Sequence, residues 1–125
     1  MKVVVDTSAW IEWLKDAPLA DAIEARLPEN DDWIVPTMVQ LELTKWALRE
    51  GGERMVASLV AFSNTCRVVD LDTDLAVLAA RSWREAKLST ADAVIYATAR
   101  VHGATLLTCD RHFEGLEAAE VLGKP

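Results

Sequence analysis

The sequence predicts an α/β domain built on a mainly parallel sheet. Three observations carry that prediction. Short apolar, β-branched runs alternate with longer segments of helical periodicity along the 125 residues, as in parallel sheets with helical crossovers. The first run, Val3 to Val5, is apolar at successive positions rather than alternate ones, as expected of a strand covered on both faces. Finally, the stretch LSTADAVIYATARVHGATLLTCD reads as one helix–strand unit whose helix is apolar on nearly every side and therefore buried.

Taken in order, the first strand ends at Asp6, and Thr7 or Ser8 can cap the helix SAWIEWLKD. Trp10, Trp13 and Leu14 give that helix an apolar stripe at i, i+3 and i+4. Pro18 starts a second helical run, LADAIEARL, and Pro28 closes it. The polar loop from Glu29 to Asp32 leads to a short strand, Trp33 to Val35. Pro36 and Thr37 open a longer helix, TMVQLELTKWALRE, which Gly51 and Gly52 stop. Val39, Glu42 and Trp46 share one of its faces. A helix from about Glu53 to Phe62 precedes a third strand, RVVDL, from Arg67 to Leu71. Asp72 or Thr73 caps a helix from about Asp74 to Lys87. Ser89 fits the N-cap of the buried helix, with Asp92 three residues on as in a capping box, and Gly103 suits the C′ position that ends it. Ala104 to Thr108 has strand length and composition and runs into Asp110. A loop with Phe113 and Gly115 then leads to a short edge strand near Glu120 to Leu122. The first strand is expected at the centre of the sheet, beside the strand before Asp110. No repeat, linker or low-complexity segment interrupts the pattern, so residues 1–125 read as one domain.

Composition narrows the function classes. Hydrophobic residues make up 51% of the chain, enough for a real core. No apolar run approaches the roughly 20 residues of a membrane span, and three valines between Lys2 and Asp6 do not make a signal-peptide h-region. Cys66 and Cys109 are too few for a disulfide framework, which points to a reduced, cytoplasmic setting. A formal charge of −7 argues against broad nucleic-acid binding through net charge, yet leaves room for a local basic rim around an acidic centre. Five tryptophans point to partner surfaces as well as core. Trp10 and Trp13, on one face of the first helix, are expected to line an apolar partner groove, with plain core packing as the other use.

The chemistry lies in four acids. Asp6 ends the first strand and Asp110 follows another, so neighbouring strands bring them to one crevice at their carboxyl ends. Asp92 enters from the buried helix and Glu42 from the helix after the second strand. Carboxylates crowded together repel one another, and burial adds a desolvation cost. A hard divalent cation neutralises such a cluster; Mg²⁺ and Mn²⁺ take oxygen ligands and leave sites for water and phosphate oxygens. The bound ion can activate a water and stabilise charge building on a phosphodiester. Each acid also has a plain structural use: Asp6 as a helix cap, Asp92 in the capping box, Glu42 paired with Lys45, Asp110 in a turn. Lys45 and Arg49 share the face of Glu42, where they either hold RNA phosphates beside the metal or form ordinary solvated surface. Cys109 and His112 stand three apart, but two cysteines and two scattered histidines do not make a zinc site. There is no glycine-rich phosphate loop, and DTSAW lacks the second acid of a phosphatase with an aspartyl nucleophile.

With the acids placed, the chain resembles PIN domains, and specifically the VapC-type toxins of toxin–antitoxin pairs. The resemblance covers nearly the whole chain and is carried by VVVDTSAWIEWL, IVPTMVQLELTKW and, most specifically, LSTADAVIYATARVHGATLLTCDRHF. It implies a three-layer α/β/α domain in which Asp6, Glu42, Asp92 and Asp110 are the catalytic, metal-holding acids, with Ser8 and Thr108 as accompanying hydroxyls. It further implies a Mg²⁺- or Mn²⁺-dependent ribonuclease with an RNA substrate, a cognate antitoxin as inhibitor, and a homodimer. His112 stands where some relatives carry a further acid, two positions after the fourth. Two other functions share the scaffold: a non-catalytic interaction domain, against which the intact acids argue, and a metal-dependent DNA nuclease, for which this chain lacks extra DNA-gripping segments.

Overall fold

The computed structural model describes residues 1–123. Its five strands are β1 (Val3–Val5), β2 (Trp33–Pro36), β3 (Arg67–Val69), β4 (Thr105–Thr108) and β5 (Ala119–Val121), in spatial order β3-β2-β1-β4-β5. Every pairing is parallel. The first strand is central and adjoins the strand before Asp110, as the sequence predicts. Val3 and Val4 pair with β2 on one side, and Val3 to Val5 pair with β4 on the other. This explains three consecutive buried valines, since each has sheet beside it and helices above and below.

The helices are α1 (Thr7–Leu14), α2 (Ala20–Glu24), α3 (Thr37–Glu50), α4 (Gly52–Ser63), α5 (Thr73–Ala86) and α6 (Thr90–Val101). The chain steps outward from β1 to β3 and then returns past β1 to β4. With right-handed crossovers, that reversal sends α5 and α6 to the opposite face from the earlier helices and gives the three-layer α/β/α arrangement. It also creates a topological switch point between β1 and β4, where open parallel sheets form their ligand crevice.

Helix α6 is the scaffold's most buried helix, with every residue from Ala93 to Ala99 inaccessible, and it packs on β1, β2 and β4. Ser89 caps it by accepting the Asp92 N–H. At its other end Gly103 has φ +62°, a conformation that favours glycine. There Ala104 N–H bonds the Ala99 carbonyl and Gly103 N–H that of Arg100, a Schellman motif that turns the chain into β4. Asp72 caps α5 through the Leu75 N–H.

Three sequence expectations shift. Helix α2 stops at Glu24 rather than continuing through Leu27, because Arg26 and Leu27 bond back three residues and tighten the turn. Strand β3 ends at Val69, leaving Asp70 and Leu71 to lead into the Asp72 cap. Helix α1 starts at Thr7 with Asp6 in the N-cap position, and that carboxylate makes no cap bond.

The partner groove built around Trp10 is also corrected. Trp10 is fully buried, packed against Trp33, Trp13 and Phe62, so its role is core. The i, i+3 spacing placed Trp10 and Trp13 on one face but could not tell what covers it. Trp33 and Phe62 do, and only Trp13 and Phe62 reach the surface of this cluster. Among the described residues, no helix is long and apolar enough to cross a membrane.

Candidate active site

Asp6 and Thr108 are the residues that follow the paired positions Val5 and Leu107 of the neighbouring strands, so the ladder itself brings them together. Asp6 is buried, and its Oδ2 accepts hydrogen bonds from Thr108 Oγ1 at 2.7 Å and Ser8 Oγ at 2.8 Å. The same hydroxyls accept backbone N–H groups from the loop after β4: Asp110 to Thr108 Oγ1 and Cys109 to Ser8 Oγ, each at 3.0 Å. A hydroxyl has one proton to give. Both protons go to Asp6, so the 3.2 Å approach of Ser8 Oγ to Thr108 Oγ1 is proximity within one network. Two backbone N–H dipoles are thus relayed through two hydroxyls onto one carboxylate oxygen. Burial raises the Asp6 pKa and the Glu42 charge adds to the rise, while these hydroxyls and the Thr7 backbone work against it.

Asp92 projects from the first turn of α6, half-buried. Burial, and after it the charges of Asp6 and Asp110 with a smaller contribution from Glu42, push its pKa up to about 6. That coupling reports one electrostatic cluster of four carboxylates assembled from β1, α3, α6 and the loop after β4. The first turn of a helix normally favours a negative charge, so the upward shift shows that burial and the neighbouring carboxylates together outweigh the helix end. The capping box is half formed: Ser89 accepts the Asp92 N–H, and the Asp92 side chain faces the cluster.

Asp110 combines two roles. Its Oδ1 accepts the His112 N–H at 2.9 Å and caps the 3₁₀ turn Arg111–Phe113. Its carboxylate also lies with Asp92 and His112 in a group whose three donor atoms all fall within 4.8 Å of one another. Glu42, on α3, accepts a 2.7 Å hydrogen bond from Thr7 Oγ1. It shares a shallow pocket of about 170 Å³ with Thr7, Lys45 and Arg49, and both cations are exposed there. Thus Lys45 and Arg49 sit beside Glu42 as their spacing predicts.

One participant, Thr7, lies outside the site residues that the sequence predicts. Thr7 was read only as a possible helix cap, and its bond to Glu42 depends on α1 lying against α3. His112, which stands where some relatives carry a further acid, is brought by the 3₁₀ turn to Asp92 and Asp110. The signal for His112 was its place two residues after an acid already in the site.

The donor set suits a hard divalent cation: three half-buried or buried carboxylates at the switch point, two with raised pKa, with the charges of Asp6 and Asp110 both opposing that of Asp92. Such sites orient phosphate oxygens and water.

A profile of the PIN domain family matches residues 3–118. Among curated proteins, no sequence matches this chain. Several solved structures share the fold. A toxin–antitoxin complex from Klebsiella pneumoniae is 20% identical, with a TM-score of 0.83 over 96% of this chain and 97% of that one. DNA-bound VapBC from Salmonella typhimurium is 18% identical, with a TM-score of 0.74 over 98% of each chain. VapC20 from Mycobacterium tuberculosis, described as a sarcin-ricin loop cleaving toxin, is 22% identical, with a TM-score of 0.69 over 92% of each.

Proposed function

This chain belongs to the PIN domain family, and from that premise we propose that it is a Mg²⁺- or Mn²⁺-dependent endoribonuclease, the toxin of a type II toxin–antitoxin pair. The observation that carries the reading is the convergence of Asp6, Asp92 and Asp110, with Glu42, at the carboxyl ends of β1 and β4. A divalent ion bound there supplies an activated water and neutralises charge building on the phosphodiester. The carboxylates of Asp6, Asp92 and Asp110 would hold it, with Glu42 binding directly or through water. Ser8 and Thr108 fix the rotamer of Asp6, so one oxygen is kept turned toward the hydroxyls and the other is left for the ion. Lys45 and Arg49 line the pocket of Glu42 and receive flanking phosphates of the RNA.

The toxin assignment is supported by solved relatives, toxin–antitoxin complexes among them, that span nearly the full length of this chain. RNA as substrate is supported by the description of VapC20, and an RNA substrate with only two cysteines in the chain fits a cytoplasmic setting. The antitoxin is the expected protein partner, and a homodimer the expected assembly. The test is cleavage of cellular RNA by the purified protein in Mn²⁺, Mg²⁺ and chelator. Wild type should cut only with metal, and Asp6→Asn and Asp110→Asn should each lose cleavage while still folding. Near wild-type cleavage by both variants would remove the assignment.

A further inference from the structure

We propose that His112 is a nitrogen ligand of the ion held by Asp92 and Asp110, and that it biases this centre from Mg²⁺ toward first-row transition ions such as Mn²⁺ and Co²⁺. The inference rests on the metal-site reading above and adds to it a donor of different chemistry.

Three observations carry it. The donor atoms of Asp92, Asp110 and His112 are mutually within 4.8 Å, and His112 Nδ1 stands 3.0 Å from Asp110 Oδ1. The backbone that presents the imidazole is pinned on both sides. Asp110 accepts the His112 N–H at 2.9 Å, and Phe113, the next residue, is wholly buried. The ring is therefore delivered to the acids by an anchored turn. Finally, Asp6 is buried, whereas Asp92 and Asp110 are half-buried and His112 is exposed, so these three form the solvent-facing side of the cluster.

Carboxylates alone are hard oxygen donors that serve Mg²⁺ well. An imidazole is a borderline donor, and its contribution grows along the first-row series while Mg²⁺ gains little from it. Cys109 lies outside this three-donor group, so the preference expected is that of a mixed oxygen–nitrogen site and not of a thiolate site. The competing explanation is that His112 only bonds Asp110 at the surface, its side chain being 80% exposed. In that case removing the imidazole leaves metal preference unchanged.

The chain contains two histidines, which makes the test specific. His102 lies at the carboxyl end of α6, near the Thr98 carbonyl, whereas Asp92 is in the first turn of that helix. The two are about 15 Å apart along the axis. Mn²⁺-loaded wild type, His112→Asp and His112→Ala are to be compared by pulsed electron paramagnetic resonance, and Mg²⁺, Mn²⁺ and Co²⁺ titrated into each by calorimetry. The wild-type spectrum should show nitrogen coupling that both variants lose. The Mn²⁺-to-Mg²⁺ affinity ratio should fall about tenfold in His112→Asp, which restores an oxygen donor. Bound Mn²⁺ without nitrogen coupling in the wild type would overturn the ligand role and leave the carboxylate site standing. An unchanged ratio would overturn the selectivity. Failure of the wild type to bind any of the three ions would overturn this proposal together with the metal-site reading.

Discussion

Asp92 occupies a position where a helix favours negative charge and its surroundings oppose it. Its pKa of about 6 in the folded protein lies above the ordinary 3.8. Between those values the folded state binds more protons than the unfolded chain, so this group makes the metal-free protein less stable as pH rises through that window. The melting temperature in chelator should accordingly climb as pH falls from neutral through about 6. Asp92→Asn should flatten that slope and, in chelator at neutral pH, melt at or above the wild type. Metal reverses the balance. An ion at about a hundred times its dissociation constant adds roughly 2.7 kcal/mol if it binds only the folded state, and this gain should shrink in the variant. Because proton and ion compete for one carboxylate, the Mn²⁺-induced rise should also fade below about pH 6. Thermal melts across pH, with chelator and with Mn²⁺, decide the matter. Identical slopes and identical Mn²⁺ shifts in the two proteins would place the repulsion elsewhere and leave Asp92 a helix-terminal residue only.

Helix α6 ties stability to the site, because one element supplies both the buried packing surface and Asp92. Ser89→Ala should cost about 1 kcal/mol by orphaning the Asp92 N–H. Since the frayed turn is the one that carries Asp92, ion affinity should fall as well. Urea denaturation and calorimetric Mn²⁺ titration read the two effects, and a stability loss with unchanged affinity would show that the turn holds without its cap. The α6–β4 unit was the most readable part of the sequence. The Ser89 cap, an apolar surface on every side and Gly103 at C′ all agreed, and the structure realises each. The central place of β1 followed from three successive valines, and the strand-end acids followed from that. What the sequence withheld depends on contacts between elements. Thr7 meets Glu42 only because α1 packs on α3, and Asp6 abandons its helix for Thr108 only because β4 adjoins β1. Trp10 and Trp13 look alike by periodicity, yet one is sealed under Trp33 and Phe62 while the other reaches solvent.

At the scale of the molecule, α5 stands out because it is apolar toward solvent. Val77 and Trp83 on α5 and Val101 at the end of α6 are each about half exposed, as are Leu41 and Leu48 on α3. We propose the α5 surface as the contact with a second copy of this chain. Trp83→Arg should move the sedimentation of the protein from dimer toward monomer with little loss of monomer stability, whereas an unchanged sedimentation profile would place the contact on another face. The pairing of β1 with β4 has a further consequence, for how the protein is made. Ser8 and Thr108 are 100 residues apart along the chain and share one carboxylate. Asp6, Glu42 and Asp92 are therefore synthesised before the strand that gathers them, and the carboxylate cluster stays incomplete until β4 has been made. Ribosome-bound chains arrested before Thr105 should cut no RNA, while chains carried past residue 121 and clear of the exit tunnel should cut it in Mn²⁺; cleavage by the shorter chains would mean that β4 is dispensable for the site.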